Sequence, residues 1–485
     1  MSLPADSARA QTGLRAAWPA VPRLIGPACL LLAAACTAYR PAPLEPQRSV
    51  AAFAARRVDD LRVRAAVAKL LPQSATPWPP RRWNRALLLA AAWAQNRSLA
   101  LARARTRAAI AAEGLAAQPP NPNLTLMSEY ARQDAHPWLY GVGTAWLLRT
   151  PSRRALRVRI ATLSADRTEL AMMDQLWSVR SGLIRAMSNG EADRARLALL
   201  DRLVAVERRV LELRRRRTAL GEDAAAPLTA AEQVLLVARL RRDQLRTVLE
   251  VDRSDLAHAL GLPRQALHGL MPSWPDWGRP PPIDVRVLRA ARERALLSRA
   301  DLGAAIDDYA AAEARLRLAV ARQHPQFVLE PGYYWDHGIG KFPLDLGFTL
   351  PLNGNRAEIA TASADREVAG RRLLALQSAI YAQIDAANST EDLARANLAD
   401  ARRLVENARQ AETRARSARR LGESAALDTS AAAILTIEAE LAELDARARL
   451  QAARDSLEDA LQAPLSGPEL ALDVDRAAPK RAGGP

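Results

Sequence analysis

The sequence predicts a mainly α fold with a small β part: long antiparallel helices forming an α-helical barrel, plus four short membrane-type strands per chain. Three observations predict it. The composition is helical: of 485 residues 49% are apolar and only 4% aromatic, alanine and arginine abound, and β-branched residues are thin. The chain repeats itself once. Between its helical stretches lie segments whose period switches from helical to alternating.

The repeat organises everything else. Residues 160–167, IATLSADR, recur as 359–366, IATASADR. Leu220-Gly221-Glu222 recurs as Leu421-Gly422-Glu423, and Leu260 and Pro263 recur as Leu461 and Pro464. Leu99 stands 23 residues before Pro122, as Leu302 stands 23 before Pro325. Two halves result, 83–262 and 286–465, joined by a Pro-rich linker at 263–285. Each half reads as a helix (83–117, 285–323), a proline that breaks it, a strand pair (122–150, 325–351) and a very long helix (153–219, 355–420). A turn at Leu-Gly-Glu and a return helix complete it. At 1.5 Å per residue each long helix spans about 100 Å. A helix of that length has to pack along its flank in a coiled coil or helical barrel.

The strand segments alternate. Trp138, Tyr140, Val142, Thr144, Trp146 and Leu148 form a large, greasy face that interleaves with a small or polar one. Phe327, Leu329, Tyr333 and Trp335 do the same, as do Phe342, Leu344, Leu346, Phe348 and Leu350; the segment 124–130 is the weakest. Ten of the 21 aromatics fall in these two windows, as in the girdles of a lipid-embedded barrel. Trp138, Tyr140, Trp146, Phe327, Tyr333, Trp335, Phe342 and Phe348 are the candidate lipid-facing set. A soluble sheet with one covered face is the alternative. Four strands cannot close a membrane barrel, for which about eight is the smallest number. Open edges in lipid would leave backbone groups unpaired. Pooling across three chains gives a twelve-stranded barrel.

The N-terminus reads as an export signal. Arg9, Arg15 and Arg23 precede the apolar run 24–35, which ends in Ala33-Ala34-Ala35-Cys36. Small residues before Cys36 resemble a lipoprotein signal, with Cys36 as the lipidated residue; ordinary cleavage near Ala35 is the alternative. The region 1–35 is therefore a signal peptide, 36–82 an anchor and strap, and 466–485 a tail. No later apolar run reaches the ~18 residues of a spanning helix.

The formal charge of +16 invites a nucleic-acid reading. The arginines are scattered along helices among acidic residues, and no nucleic-acid signature accompanies them. The two cysteines, Cys29 and Cys36, lie in the first hydrophobic segment, and the five histidines stand at no metal-ligand spacing. No nucleophile–base set or phosphate loop points to an enzyme, and no cofactor is implied.

In this order and spacing, the two helix–hairpin–long helix–helix halves, Asn121-Pro122-Asn123-Leu124, Pro325-Gln326-Phe327, Leu350-Pro351-Leu352 and the two Leu-Gly-Glu tips resemble the TolC family of outer-membrane factors. The resemblance covers 83–465, and Pro122-Asn123-Leu124 with the basic stretch 153–159 looks most like its CzcC-type metal-efflux subgroup. It implies a homotrimer that spans the outer-membrane lipid and extends into the periplasm. A periplasmic adaptor would join it to an inner-membrane transporter of the RND type, and it would carry small molecules or metal ions. A protein-secretion duct and a non-channel coiled-coil scaffold of the cell envelope are the alternatives. The tips, Leu220, Gly221, Glu222, Leu421, Gly422 and Glu423, would face the adaptor. In the family a carboxylate ring narrows the tunnel six residues after the second tip glycine, a position held here by Asp428, whose other reading is helix capping. The next acidic ring is absent at Ala431. Arg149, Arg153, Arg154, Arg157 and Arg159 would either line the tunnel or sit on a solvated helix face.

Overall fold

A computed structural model describes residues 39–74, 77–133, 135–148 and 150–472. Residues 1–35, read from the sequence as a signal peptide, lie outside the described residues, as do Cys36 and Arg149. The chain divides into two units, 1–52 and 53–485. In the first, residues 39–52 are exposed and enter helix α1 (Pro46–Ala54), where Arg48 pairs with Glu45 at 2.9 Å. The second unit carries both repeats.

α2 (Leu61–Leu70) precedes the first repeat, which opens with α3 (Arg85–Gln95); the two helices bury Val63, Val67, Leu88 and Leu89 in one core. α4 (Arg97–Ala117) leads into the hairpin β1 (Asn123–Tyr130) and β2 (Trp138–Leu148). α5 (Pro151–Ala219) then runs 69 residues, started by a proline at its first position, and α6 (Ala225–Leu260) returns. The second repeat has the same plan. α7 (Val285–Ser298) and α8 (Ala300–Ala321) precede β3 (Gln326–Asp336), β4 (Ile339–Lys341) and β5 (Leu344–Thr349). α9 (Arg356–Arg420) and α10 (Ala426–Leu461) complete it.

The sequence predicts one continuous first helix in each repeat; the structure breaks both. In the first the break is Asn96, whose side chain caps α4 through the Ser98 N–H at 2.9 Å. Its Nδ2 donates to the Ala259 carbonyl at 3.1 Å. In the second the break is Arg299, whose Nη1 donates to Ala460 at 2.6 Å. Ala259 and Ala460 are equivalent repeat positions, so different side chains tie the same joint. Neither break carries the glycine or proline that periodicity would flag.

The segments between and after the repeats are also packed. Trp83 bridges to Pro272, Trp274 is buried in the α2–α3 core, and Trp277 donates to Ser188 at 3.0 Å. Residues 468–471 form a 3-10 turn that buries Glu469, so the tail begins as a built element.

Three tiers of four elements result. The sheet has the order β1-β2-β3-β5, all antiparallel, with β4 extending the β3 hairpin. Beside it, α4, α5, α8 and α9 pack in that order. Towards the tips the order is α9, α10, α5, α6. There Leu200, Leu203, Val204 and Leu211 of α5 meet Leu235, Ala238 and Leu245 of α6 and Ile437 of α10. In every tier the two repeats meet in the middle, and one edge from each repeat is left over.

Candidate functional site

The sheet has two chemically distinct faces. Register puts Tyr140 opposite Trp335, Val142 opposite Tyr333, and Phe327 opposite both Leu148 and Phe348. These residues share a face, and their rings pair: Tyr130–Trp138 at 4.9 Å, Tyr140–Trp335 at 6.4 Å, Phe327–Phe348 at 6.0 Å and Tyr333–Phe342 at 4.8 Å. All eight aromatics singled out from the sequence are exposed, Phe342 at 81%. Contiguous exposed aromatics of this extent mark an interaction surface.

The opposite face is small and acidic. Gly141 lies opposite Tyr334 and Gly143 opposite Gly332. The Tyr334 ring lies over all three glycines, and a Cβ on Gly141 would collide with it. Glu330 and Asp345 are direct cross-strand partners on this face, a like-charge pairing that is tolerated where water reaches it.

The edges are open. β1 and β5 each pair with one strand only and are exposed along their length. In the helical tiers, α6 exposes Val234, Val237, Leu240, Val248 and Val251, and α9 exposes Val368, Leu374, Tyr381, Leu393 and Leu404.

The two tips are built alike. Gly221 and Gly422 take φ of 76° and 79°, a left-handed geometry that suits glycine. Glu222 N–H closes onto Arg217 O and Glu423 N–H onto Ala418 O, each at 2.9 Å. Leu220 and Leu421 are exposed at 74% and 73%. Asp223 is clamped by Arg214 at 2.9 Å and Arg217 at 3.0 Å. Its hydrogen bond from Arg214 chiefly holds its carboxyl below the usual range. Asp428 is exposed in the first turn of α10, and its Oδ2 accepts from the Ala425 N–H at 2.9 Å. Capping is thus a present role of Asp428 in one chain.

Arg153 and Arg154 carry a structural role that the sequence did not show. Arg153 Nη2 donates to Ala321 O at 2.8 Å and to His324 O at 2.7 Å, and Arg154 Nε donates to Ala117 O at 3.0 Å. Adjacent residues of α5 thereby satisfy the last carbonyls of α8 and α4, the helices that enter the two hairpins.

Sequence reasoning missed a buried ion network between the tiers. Arg180 pairs with Glu458 and lies 3.8 Å from Glu469, which is 3.4 Å from Arg85. Arg454 reaches Glu391 at 2.9 Å and Pro281 O at 2.8 Å. Burial, with Glu458 and Asp459 nearby, pushes Asp455 up to about 7 against the pull of Gln451 and Arg180. A second set joins α5 to α6: Asp252, whose Oδ2 is buried without a hydrogen-bond partner, lies beside Asp193. Burial and that neighbour push Asp252 up to about 6. Such residues look like any solvated helix charge in a sequence of 69 basic and 53 acidic side chains.

Among the described residues no helix is long and apolar enough to cross a membrane, and no group of three or more potential metal ligands is present.

Neither a family model nor a curated protein matches this chain. Solved structures do: 23 chains match. The outer-membrane channel OprN superposes with a TM-score of 0.66 at 20% identity, covering 78% of this chain and 89% of OprN. CusC, described for transmembrane channel formation, gives 0.64 at 17% identity over 78% and 91%. The outer membrane protein VceC from Vibrio cholerae gives 0.64 at 17% identity over 78% and 96%. This chain therefore has the fold of the outer-membrane channel proteins, the one the TolC resemblance implies.

Proposed function

We propose that this chain is the outer-membrane duct of a tripartite efflux system, working as a passive homotrimer. The observation that carries the reading is the pair of unmatched edges that recurs in every tier: β1 and β5 in the sheet, α4 and α9 beside it, α6 and α9 towards the tips. One edge of each pair belongs to each repeat, so copies join head to tail. A head-to-tail contact that closes makes a ring. Three copies of a four-element tier give twelve strands and twelve helices per ring, enough to enclose a channel.

Lipid is the natural partner of the aromatic face, and a closed ring removes the two strand edges that a bilayer cannot solvate. The acidic, glycine-lined face then lines the pore. The Leu220-Gly221-Glu222 and Leu421-Gly422-Glu423 tips offer an exposed leucine and a polar edge to a periplasmic adaptor, through which an inner-membrane transporter of the RND type delivers small molecules or metal ions. Asp428, repeated around the axis, narrows the tip and favours cations, while each copy still caps its own helix. Cys36, acylated, adds a lipid anchor.

The test is physical. Protein extracted in detergent from the outer-membrane fraction should have the mass of three chains and conduct ions in planar bilayers. Asp428→Asn should lower the preference for cations over anions. A monomer recovered from the soluble periplasm, without conductance, would favour the scaffold reading instead.

A further inference from the structure

A cavity of about 300 Å³ lies where the strands meet the helices, between the ends of β2 and β5 and the starts of β3 and α5. Its polar lining is Thr150, Arg153, Arg157, Arg322, His324, Gln326 and Thr349. Three guanidiniums line it, and no carboxylate does. Arg153 is fixed in its wall by the carbonyls of Ala321 and His324. Arg322 is tethered from outside the cavity by Glu358 and stays half exposed. The 69-residue helix α5 starts at the rim, and its N-cap Thr150 makes no side-chain bond to the helix's own N–H groups. The positive end of that helix adds to the charge of the arginines.

The geometry points to this cavity as a binding site for a phosphate-class oxyanion. A concave space whose charged lining residues are arginines, from α5 and from the α8–β3 turn, suits an anion with several oxygens. The surroundings say where such a group comes from. Leu148 borders the cavity, and the apolar face of the sheet ends beside it at Leu148, Phe348 and Leu350, all exposed. If the sheet crosses the membrane as proposed above, the cavity falls at headgroup depth. There a phospholipid phosphate would sit with its chains against the strands. A phosphate-bearing solute in the duct offers the same chemistry, and the oxyanion site itself does not depend on the duct reading.

The experiment uses the full-length, delipidated protein in detergent. Its thermal midpoint is compared in sodium phosphate and in sodium chloride of equal ionic strength. A second comparison uses mixed micelles doped with phosphatidylglycerol or with diacylglycerol, which lacks the phosphate. Arg157→Gln with Arg322→Gln serves as the altered site, because neither residue holds the carbonyl clamp of Arg153. A midpoint that rises with phosphatidylglycerol but not with diacylglycerol, and at least tenfold weaker binding in the double variant, identifies a lipid site. A rise with inorganic phosphate alone identifies a solute site. Equal midpoints in phosphate and chloride, together with equal midpoints in the two lipids, overturn the proposal. So does wild-type binding by the double variant. Should that variant fail to assemble, Arg157→Lys keeps the charge but not the fork, and must bind more weakly than wild type. Conductance is read in parallel: a conducting protein that binds no phosphate loses only this site, and a phosphate binder that never conducts loses only the duct.

Discussion

The ring of Tyr334 fills the space that a side chain on Gly141 would need. Tyr334 sits on β3 and Gly141 on β2, so this contact locks the two repeats together at the centre of the sheet. Gly141→Ala should therefore push the ring off and weaken the β2–β3 seam by about 1–3 kcal/mol. Gly347 also lies in a strand but has open space around it, and Gly347→Ala should change little. Heat resistance of the assembled protein on a semi-native gel separates the two. Equal behaviour would show that the Tyr334 contact carries no stability.

The two faces of the sheet predict opposite responses to charge. Leu346 lies on the aromatic face, opposite Leu329, and Thr125 on the glycine face, opposite Gly143. Leu346→Arg should cost about 2–4 kcal/mol if its face meets the bilayer core, and so block membrane assembly. Thr125→Arg should assemble and shift ion selectivity towards anions. Outer-membrane yield and reversal potentials measure the two effects.

Stability should fall as pH rises from about 4 to 7. Asp252 and Asp455 both have folded-state values raised above that of a free aspartate, to about 6 and about 7. The folded protein thus holds protons that the unfolded chain has released, and each carboxyl's contribution is lost as pH climbs through its window. Asp252 faces Asp193 and Asp255, with Arg194 opposing them; Asp455 faces Glu458 and Asp459, with Arg180 opposing. Asp252→Asn and Asp455→Asn should each flatten the profile and raise the midpoint at pH 8 by about 2 °C. A profile that is unchanged in both variants would place the pH dependence elsewhere.

The Arg180–Glu458 pair should be costly to break and cheap to replace. Both side chains are almost fully buried. Glu458→Gln leaves the Arg180 charge without its nearest partner, at a cost of about 3–5 kcal/mol, whereas Arg180→Met with Glu458→Met removes both charges and should recover most of it. Denaturant midpoints of the single and double variants, arranged as a cycle, give the coupling.

Much of the fold was legible because it rests on long periodic signals. The IATLSADR–IATASADR match and the paired Leu-Gly-Glu turns place the two long helices to within a few residues of α5 and α9. Alternation at residues 138–148 and 327–336 gives β2 and β3 and assigns their aromatics to one face. The helix breaks at Asn96 and Arg299 were not legible. Their cause is a carbonyl at Ala259 or Ala460, more than 160 residues away along the chain. The roles of Arg153 and Arg154 were hidden for the same reason: an arginine that caps a distant helix looks like any other arginine.

By itself the sequence determined the repeat, the lengths of its helices and the chemistry of each strand face, since these depend on local period and on which residue types fall on it. Only the tertiary structure decided the order of elements across each tier, and with it which edges stay open. Order also put Tyr334 over Gly141, brought Asp252 beside Asp193, and gathered Arg153, Arg157 and Arg322 around one cavity. Each of these needs two segments far apart in the chain to arrive at the same place, and neighbouring residues carry no record of that distance.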